Sequence, residues 1–340
     1  MGSVVLFHFR GLLSGVNAGL ASIASYGGTY GVSLFFVISG FVITMATHQK
    51  PATPGVFMTR RIFRILPLAT IATITCYGLK HWFGWGQIPS QMDLVGSLFF
   101  LPMNNQAPPF YGYRVLPVQW TLTYELVFYT VFCISLAAVR RHHYRVAAAL
   151  LMMMVFGLQA FYGRWTLNAY ESPLLEGNGP ISGLMSLLAN PIFLLFIVGI
   201  ALARIYVLFA ASVDRPRGCW WILPISCGVW AFSAWVTMTV IVCAVGSFVM
   251  VLLSERYIRA TRWLKGLTHL GDISYSLYLI HPIVYLCYEG LIRRGESLEV
   301  VSCLFTLILL IVVSIALSEW SYRWIEQPGV RLGKRLVSMR

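Results

Sequence analysis

The chain has 340 residues, of which 58% are hydrophobic and only 11% charged, with a net charge of +13 and a mean hydropathy of +0.74. Soluble domains carry about a quarter charged residues, so an ordinary soluble fold is excluded and a membrane is the expected solvent. The basic residues fall in short clusters between apolar runs rather than along one face, which argues against nucleic acid as a partner.

Apolar runs able to span occur at about 1 to 16, 30 to 47, 63 to 83, 117 to 139, 146 to 162, 183 to 203, 219 to 235, 237 to 253, 273 to 292 and 300 to 319. The expectation is an all-α integral membrane protein, a bundle of about ten transmembrane helices forming one polytopic domain over residues 1–340. The first run ends near Val16, short of the roughly 20 residues a full span needs, so its helix reads as truncated and residues are expected upstream. The stretch 94–102 is too short to cross and reads as re-entrant or interfacial.

With the N-terminus inside, 19 of the 25 Lys and Arg residues fall in inner loops. They are Lys50, Arg60, Arg61 and Arg64; Arg140, Arg141 and Arg145; Arg204, Arg215 and Arg217; Arg256, Arg259, Arg262 and Lys265; and the group from Arg323 to Arg340. The positive-inside rule then places both termini in the cytoplasm. The long loops 84–116 and 163–182 face outward, and Trp82, Trp85, Pro108, Pro109, Tyr111 and Tyr113 suggest an ordered lid over an acceptor. The seven cysteines show neither CxxC pairing nor metal-like histidine spacing, so they read as core residues and no metal is expected.

Ionisable groups within spans are expensive and mark function unless a partner makes them structural. His8, Glu125 and His281 qualify, and counting at 1.5 Å per residue puts them and Ser39 at one level, about 12 to 15 Å deep. His281 has a second reading, because a histidine before Pro282 also suits a kink. For His8 and Glu125 a mutual pair is the stronger reading, since burial penalises a lone charge. At the inner edge of the third run, "MTRRIFRILP" carries Arg60, Arg61 and Arg64, with Arg60 and Arg64 on one helix face. Plain anchoring is one reading; bidentate contact with phosphate, which arginine serves better than lysine, is the other.

Five blocks in order, "VLFHFRG", "GVSLFFVISGFVIT", "FMTRRIFRILPL", "VQWTLTYELVFY" and "LGDISYSLYLIHPIVY", resemble the signature blocks of the membrane acyltransferase-3 family. The form of the fourth block is similar to the branch that acetylates exopolysaccharides and lacks an extracellular esterase-like domain. The resemblance implies a multi-pass O-acetyltransferase of the bacterial inner (plasma) membrane. It implies transfer from cytoplasmic acetyl-CoA, or another acyl-CoA, to a hydroxyl of a glycan or lipid-linked sugar. It places His8 on the family's histidine, Arg60, Arg61 and Arg64 on its arginine cluster, and Glu125 on its acidic position. The family's arginine about ten residues before the histidine has no counterpart; either upstream residues supply it or Arg10 partly substitutes.

On this reading His8 is the base that takes the acceptor proton and Glu125 orients it. The three arginines hold the donor phosphates, and Trp120, Tyr124, Ser39 and His281 face the acceptor, with Tyr129 added to the wall. Direct transfer and an acyl-histidine route both remain open. A transporter or flippase for an anionic glycan-lipid, or transfer to a macrolide-like hydroxyl, are the alternatives the sequence leaves.

Overall fold

A computed structural model describes residues 2–84, 87–105, 107–113, 115–171, 179–210, 265–293 and 303–339, together with 246 and 248. Every regular element among them is helical: α1 (Gly2–His8), α2 (Arg10–Val16), α3 (Ala18–Gln49), α4 (Pro54–Phe83), α5 (Gln91–Leu98), α6 (Trp120–Ala138), α7 (His143–Phe161), α8 (Pro180–Leu188), α9 (Phe193–Ala210), α10 (Lys265–Asp272), α11 (Ser274–Arg293), α12 (Cys303–Ser321), a π-helical turn (Tyr322–Glu326) and α13 (Gln327–Ser338). Eight of the ten expected runs fall on these helices, and those at 219–235 and, except for 246 and 248, 237–253 lie outside the described residues. Among the described residues six helical stretches are long and apolar enough to cross a membrane: Ala18–Gln49, Pro54–Phe83, Trp120–Ala138, His143–Phe161, Pro180–Leu208 and Cys303–Ser338.

Two ends of the bundle can be told apart. The turns after α3 and α6 carry Lys50 and Arg140 to Arg145 and form a basic end; the opposite, loop end carries residues 84–119.

The first run departs from expectation. It makes two short helices that meet at Phe9, whose ring is fully buried and stacks on Tyr285 at 5.5 Å. The second run starts twelve residues earlier than hydropathy indicates, because Asn17 caps α3 by accepting from the backbone N–H groups of Gly19 (2.8 Å) and Leu20 (3.2 Å). The added turns hold α1. A methyl group on Gly27 would lie 2.6 Å from the Ser3 carbonyl oxygen, and one on Gly28 would lie 2.9 Å from the Phe7 ring, so only glycines let the two backbones approach this closely.

The segment between α4 and α6 is pinned rather than loose. Ser90 and Asp93 form a capping box on α5. Fully buried Tyr111 donates to the Ser186 carbonyl at 3.0 Å and accepts from Asn190 at 3.2 Å, while Thr123 on α6 donates to the Phe100 carbonyl at 3.2 Å. Burial raises the phenols of Tyr113 and Tyr170 above their ordinary range, so both keep their hydroxyl protons, and since Thr123 donates to Phe100 the Tyr113 hydroxyl donates to Thr123.

Candidate functional site

Three cavities are stacked along the bundle. At the loop end a cavity of about 530 Å³ is walled by aromatic side chains, among them Phe7, Phe110, Tyr113, Trp120, Tyr170 and Tyr278, with His8 in its lining. His8 also lines a second cavity of about 400 Å³, where Lys80, Gln87 and Glu289 supply polar groups. One level toward the basic end, a narrower cavity of about 150 Å³ is lined by Ser39, Arg61, Arg64, Glu125 and Tyr129. Tyr278 belongs to both the aromatic and the arginine-lined cavities, so the two share a wall.

The polar groups therefore sort into two sets rather than one level. The ring of His8 faces that of His281, with centroids 5.0 Å apart. The carboxylate of Glu125 accepts from Ser39 at 3.1 Å and from Tyr129, four residues on along the same helix face. The expected direct pair of His8 with Glu125 is not formed. Its depth count took Tyr30 as the outer end of α3, whereas that helix runs on to Ala18 and α1 packs on the extension. Beside Gly28, α1 lies eleven residues from Ser39, about 17 Å along the helix axis.

His281 is wholly buried on α11. Its Nδ1 lies 2.9 Å from the Leu277 carbonyl, which can only accept, so Nδ1 carries the proton and Nε2 keeps a lone pair. That Nε2 has no partner among the described residues. Tyr278, one turn earlier, donates to the Val118 carbonyl at 3.0 Å and lies 2.7 Å from the Thr121 hydroxyl, fixing α11 against α6.

The arginine cluster divides as well. Phe57, Ile65 and Leu68 form the buried face of α4, and Arg61, four residues from both Phe57 and Ile65, falls on it. Its guanidinium carbon lies 5.6 Å from the Phe57 ring centre and 5.7 Å from that of Tyr129, within cation–π range, while its buried Nε has no acceptor. Arg64 lines the same cavity and Arg60 does not, although both residues are exposed. The pair that faces inward is thus Arg61 and Arg64 rather than Arg60 and Arg64. Arg10 donates to the Phe7 carbonyl at 2.9 Å and covers the Phe7 ring at 4.3 Å.

Of the remaining residues named from sequence, Trp120 lines the aromatic cavity and Ser39 holds Glu125. Tyr124 stands behind that wall, fully buried between Phe36 and Phe193. Tyr278, Phe110 and Tyr170 join the site without a signal singled out in the sequence, and Tyr113, expected in the lid over the acceptor, lines the same wall. Tyr278 was legible as the residue three before His281, on the same helix face; Phe110 and Tyr170 lie on loops whose fold hydropathy does not encode.

The sequence matches the family described as an acyltransferase domain over residues 1–319. The chain belongs to this acyltransferase family. It is similar to nodulation protein 10 of Rhizobium leguminosarum bv. viciae, 27% identical over 329 residues that cover 91% of this chain and 84% of that protein. The exopolysaccharide production protein ExoZ of Rhizobium meliloti (strain 1021) is 35% identical over 112 residues, 32% of this chain and 34% of ExoZ. A Staphylococcus aureus (strain COL) protein provisionally named an O-acetyltransferase is 23% identical over 349 residues, 92% of this chain, which spans about half (54%) of that protein's length. No solved structure matches the chain. As a member of the family the chain is an O-acyltransferase, and its spanning-length helices make it a membrane protein.

Proposed function

We propose that this membrane O-acyltransferase moves an acetyl group from cytoplasmic acetyl-CoA to a hydroxyl of a glycan or glycan-lipid, in the inner membrane of a bacterium. The observation that carries the reading is the position of His8, at the meeting of two cavities one of which has an aromatic wall. Sugars present C–H faces that pack on aromatic rings and hydroxyls that bond polar tips, and Trp120, Tyr113 and Tyr170 offer both. The name of ExoZ supports an exopolysaccharide-like acceptor by similarity.

In the proposed reaction the acceptor lies in the aromatic cavity with its hydroxyl toward His8. The donor reaches the site from the basic end, its phosphates at the arginine cluster and its pantetheine arm passing Tyr278. A neutral imidazole nitrogen of His8 takes the hydroxyl proton as the oxygen attacks the thioester carbon. The C–O bond forms, the C–S bond breaks, and the departing CoA sulfur receives the proton from the imidazolium. His281 offers His8 an acceptor: its Nε2 is free in this structure beside the His8 ring, and an N–H of His8 turned onto it during the reaction would leave the other His8 nitrogen unprotonated for the acceptor hydroxyl. Glu125 acts a level below, where its charge faces Arg61 and Arg64.

The test is incubation of the purified protein with acetyl-labelled CoA and an exopolysaccharide fraction. The expected result is label in an ester of the glycan, lost on mild base treatment and absent with His8→Ala. Donor binding with neither hydrolysis nor transfer, or full transfer by well-folded His8→Ala, overturns the reading.

A further inference from the structure

Beyond the arginine-lined cavity, at the basic end, a further cavity of about 380 Å³ opens between the last turns of α3, the α6–α7 turn and α9. Three separate elements line it with arginine and histidine side chains: His48 from α3, Arg141, His142 and Arg145 from the turn and the start of α7, and Arg204 from α9. No acidic side chain lines it among the described residues, and neither Arg141, Arg145 nor Arg204 makes an ion pair with any of them. Anchoring at a membrane surface asks only that basic residues lie near headgroups. It does not ask that they converge on a cavity, which costs mutual repulsion unless an anion offsets it.

The cavity is also built to keep its shape. The Tyr144 ring carries Arg204 at 4.4 Å and Arg145 at 5.8 Å, which orients both guanidinium groups. His143 is braced by the Arg140 carbonyl at 2.9 Å and the Thr47 hydroxyl at 3.2 Å, fixing the turn against α3. The first N–H groups of the 19-residue α7 have no side-chain cap, and a helix start favours an anion.

We infer that this cavity is a second anion site that binds a phosphate group, a phosphomonoester or diphosphate, at the basic end of the bundle. Arginine forks and a helix start match the several acceptor oxygens of phosphate better than a single carboxylate. Two sources carry that chemistry. One is the nucleotide end of the acyl donor, which rests on the function proposed above: His48 lies nine residues beyond Ser39, about 14 Å along α3. The other is a phospholipid headgroup, which does not depend on it.

The experiment uses the full chain in phosphatidylcholine nanodiscs and the double variant Arg145→Gln/Arg204→Gln, with Arg145→Lys/Arg204→Lys as the control that keeps the charge. The probes are CoA, 3′-dephospho-CoA and nanodiscs doped with phosphatidic acid, read as equilibrium affinity and as thermal stabilisation. We expect the glutamine variant to lose about tenfold in affinity for one phosphate source, with the lysine variant between it and the parent. A loss for CoA but not for 3′-dephospho-CoA assigns the cavity to the donor's 3′-phosphate. A loss of stabilisation by phosphatidic acid with CoA affinity unchanged assigns it to lipid. Unchanged responses to all three probes overturn the site. Failure of the parent chain to bind CoA counts against the proposed donor, and the lipid arm then decides this inference alone.

Discussion

Glu125 holds Ser39 and Tyr129 and lines one cavity with Arg61 and Arg64, and the buried Nε of Arg61 has no partner among the described residues. That geometry predicts distinct outcomes for substitutions that looked equivalent in the sequence. Arg61→Lys and Arg64→Lys should each weaken acetyl-CoA binding by about tenfold, since lysine keeps the charge but loses the fork, and Arg60→Lys should change it little. Equal effects at all three positions, measured by equilibrium binding, would reject the division of the cluster. Glu125→Gln should also weaken donor binding, because it keeps the hydrogen bonds and removes the charge that orients the arginines, while His8→Ala should abolish transfer with donor binding intact. His281→Ala should lower kcat more than KM for the acceptor and shift the pH profile of transfer, a change that a residue serving only the Pro282 kink would not produce. The individual residues were legible because charge inside an apolar run is costly enough to stand out. Their partners were not, since Ser39 and Glu125 meet only through the packing of α3 on α6, and a count from helix ends has no information on where a neighbouring helix begins.

At the scale of elements, the position of His8 depends on how closely α1 lies on α3. The glycines at 27, 28 and 31 make that approach possible, and a larger side chain at Gly28 meets the Phe7 ring next to the histidine. Gly28→Val should therefore displace α1 and cut transfer at least tenfold while donor binding, a level away, persists. Gly55→Val, at a helix start with open space around it, should leave both unchanged. Activity assays and CoA binding on the two variants check this, and equal activity would show that α1 does not need the groove. The sequence displayed these glycines, yet hydropathy placed them outside a span. Polar and small residues between 17 and 30 lower the apolar average, while the Asn17 cap and the fit of α1 decide that the helix continues. The helices α6 and α7, and α4 from residue 63 to its Gly84 cap, were legible for the converse reason: saturated apolar runs bounded by Gly84 or the basic turn leave few alternatives in a membrane.

For the whole molecule, the order of cavities along the axis gains functional sense only with a direction, and the direction comes from charge. The basic end carries Lys50, Arg140, Arg141 and Arg145, and the other end carries the pinned segment between α4 and α6. The positive-inside rule predicts that the basic end faces the cytoplasm, which would put the arginine-lined cavity toward soluble acyl-CoA and the aromatic cavity toward an exported glycan. The prediction is that a cysteine at position 55, in the first turn of α4, is shielded from a membrane-impermeant thiol reagent in intact cells and reacts after permeabilisation. A cysteine at position 107, in the segment at the loop end, should react in both conditions. The buried thiol Cys76, which donates to the Val115 carbonyl at 3.0 Å, should contribute little background, and a version lacking the substitutions measures the rest. Labelling at 55 from outside would reverse the molecule. Donor and acceptor would then exchange sides, and Arg61, Arg64 and Glu125 would line a passage for the glycan instead of the thioester.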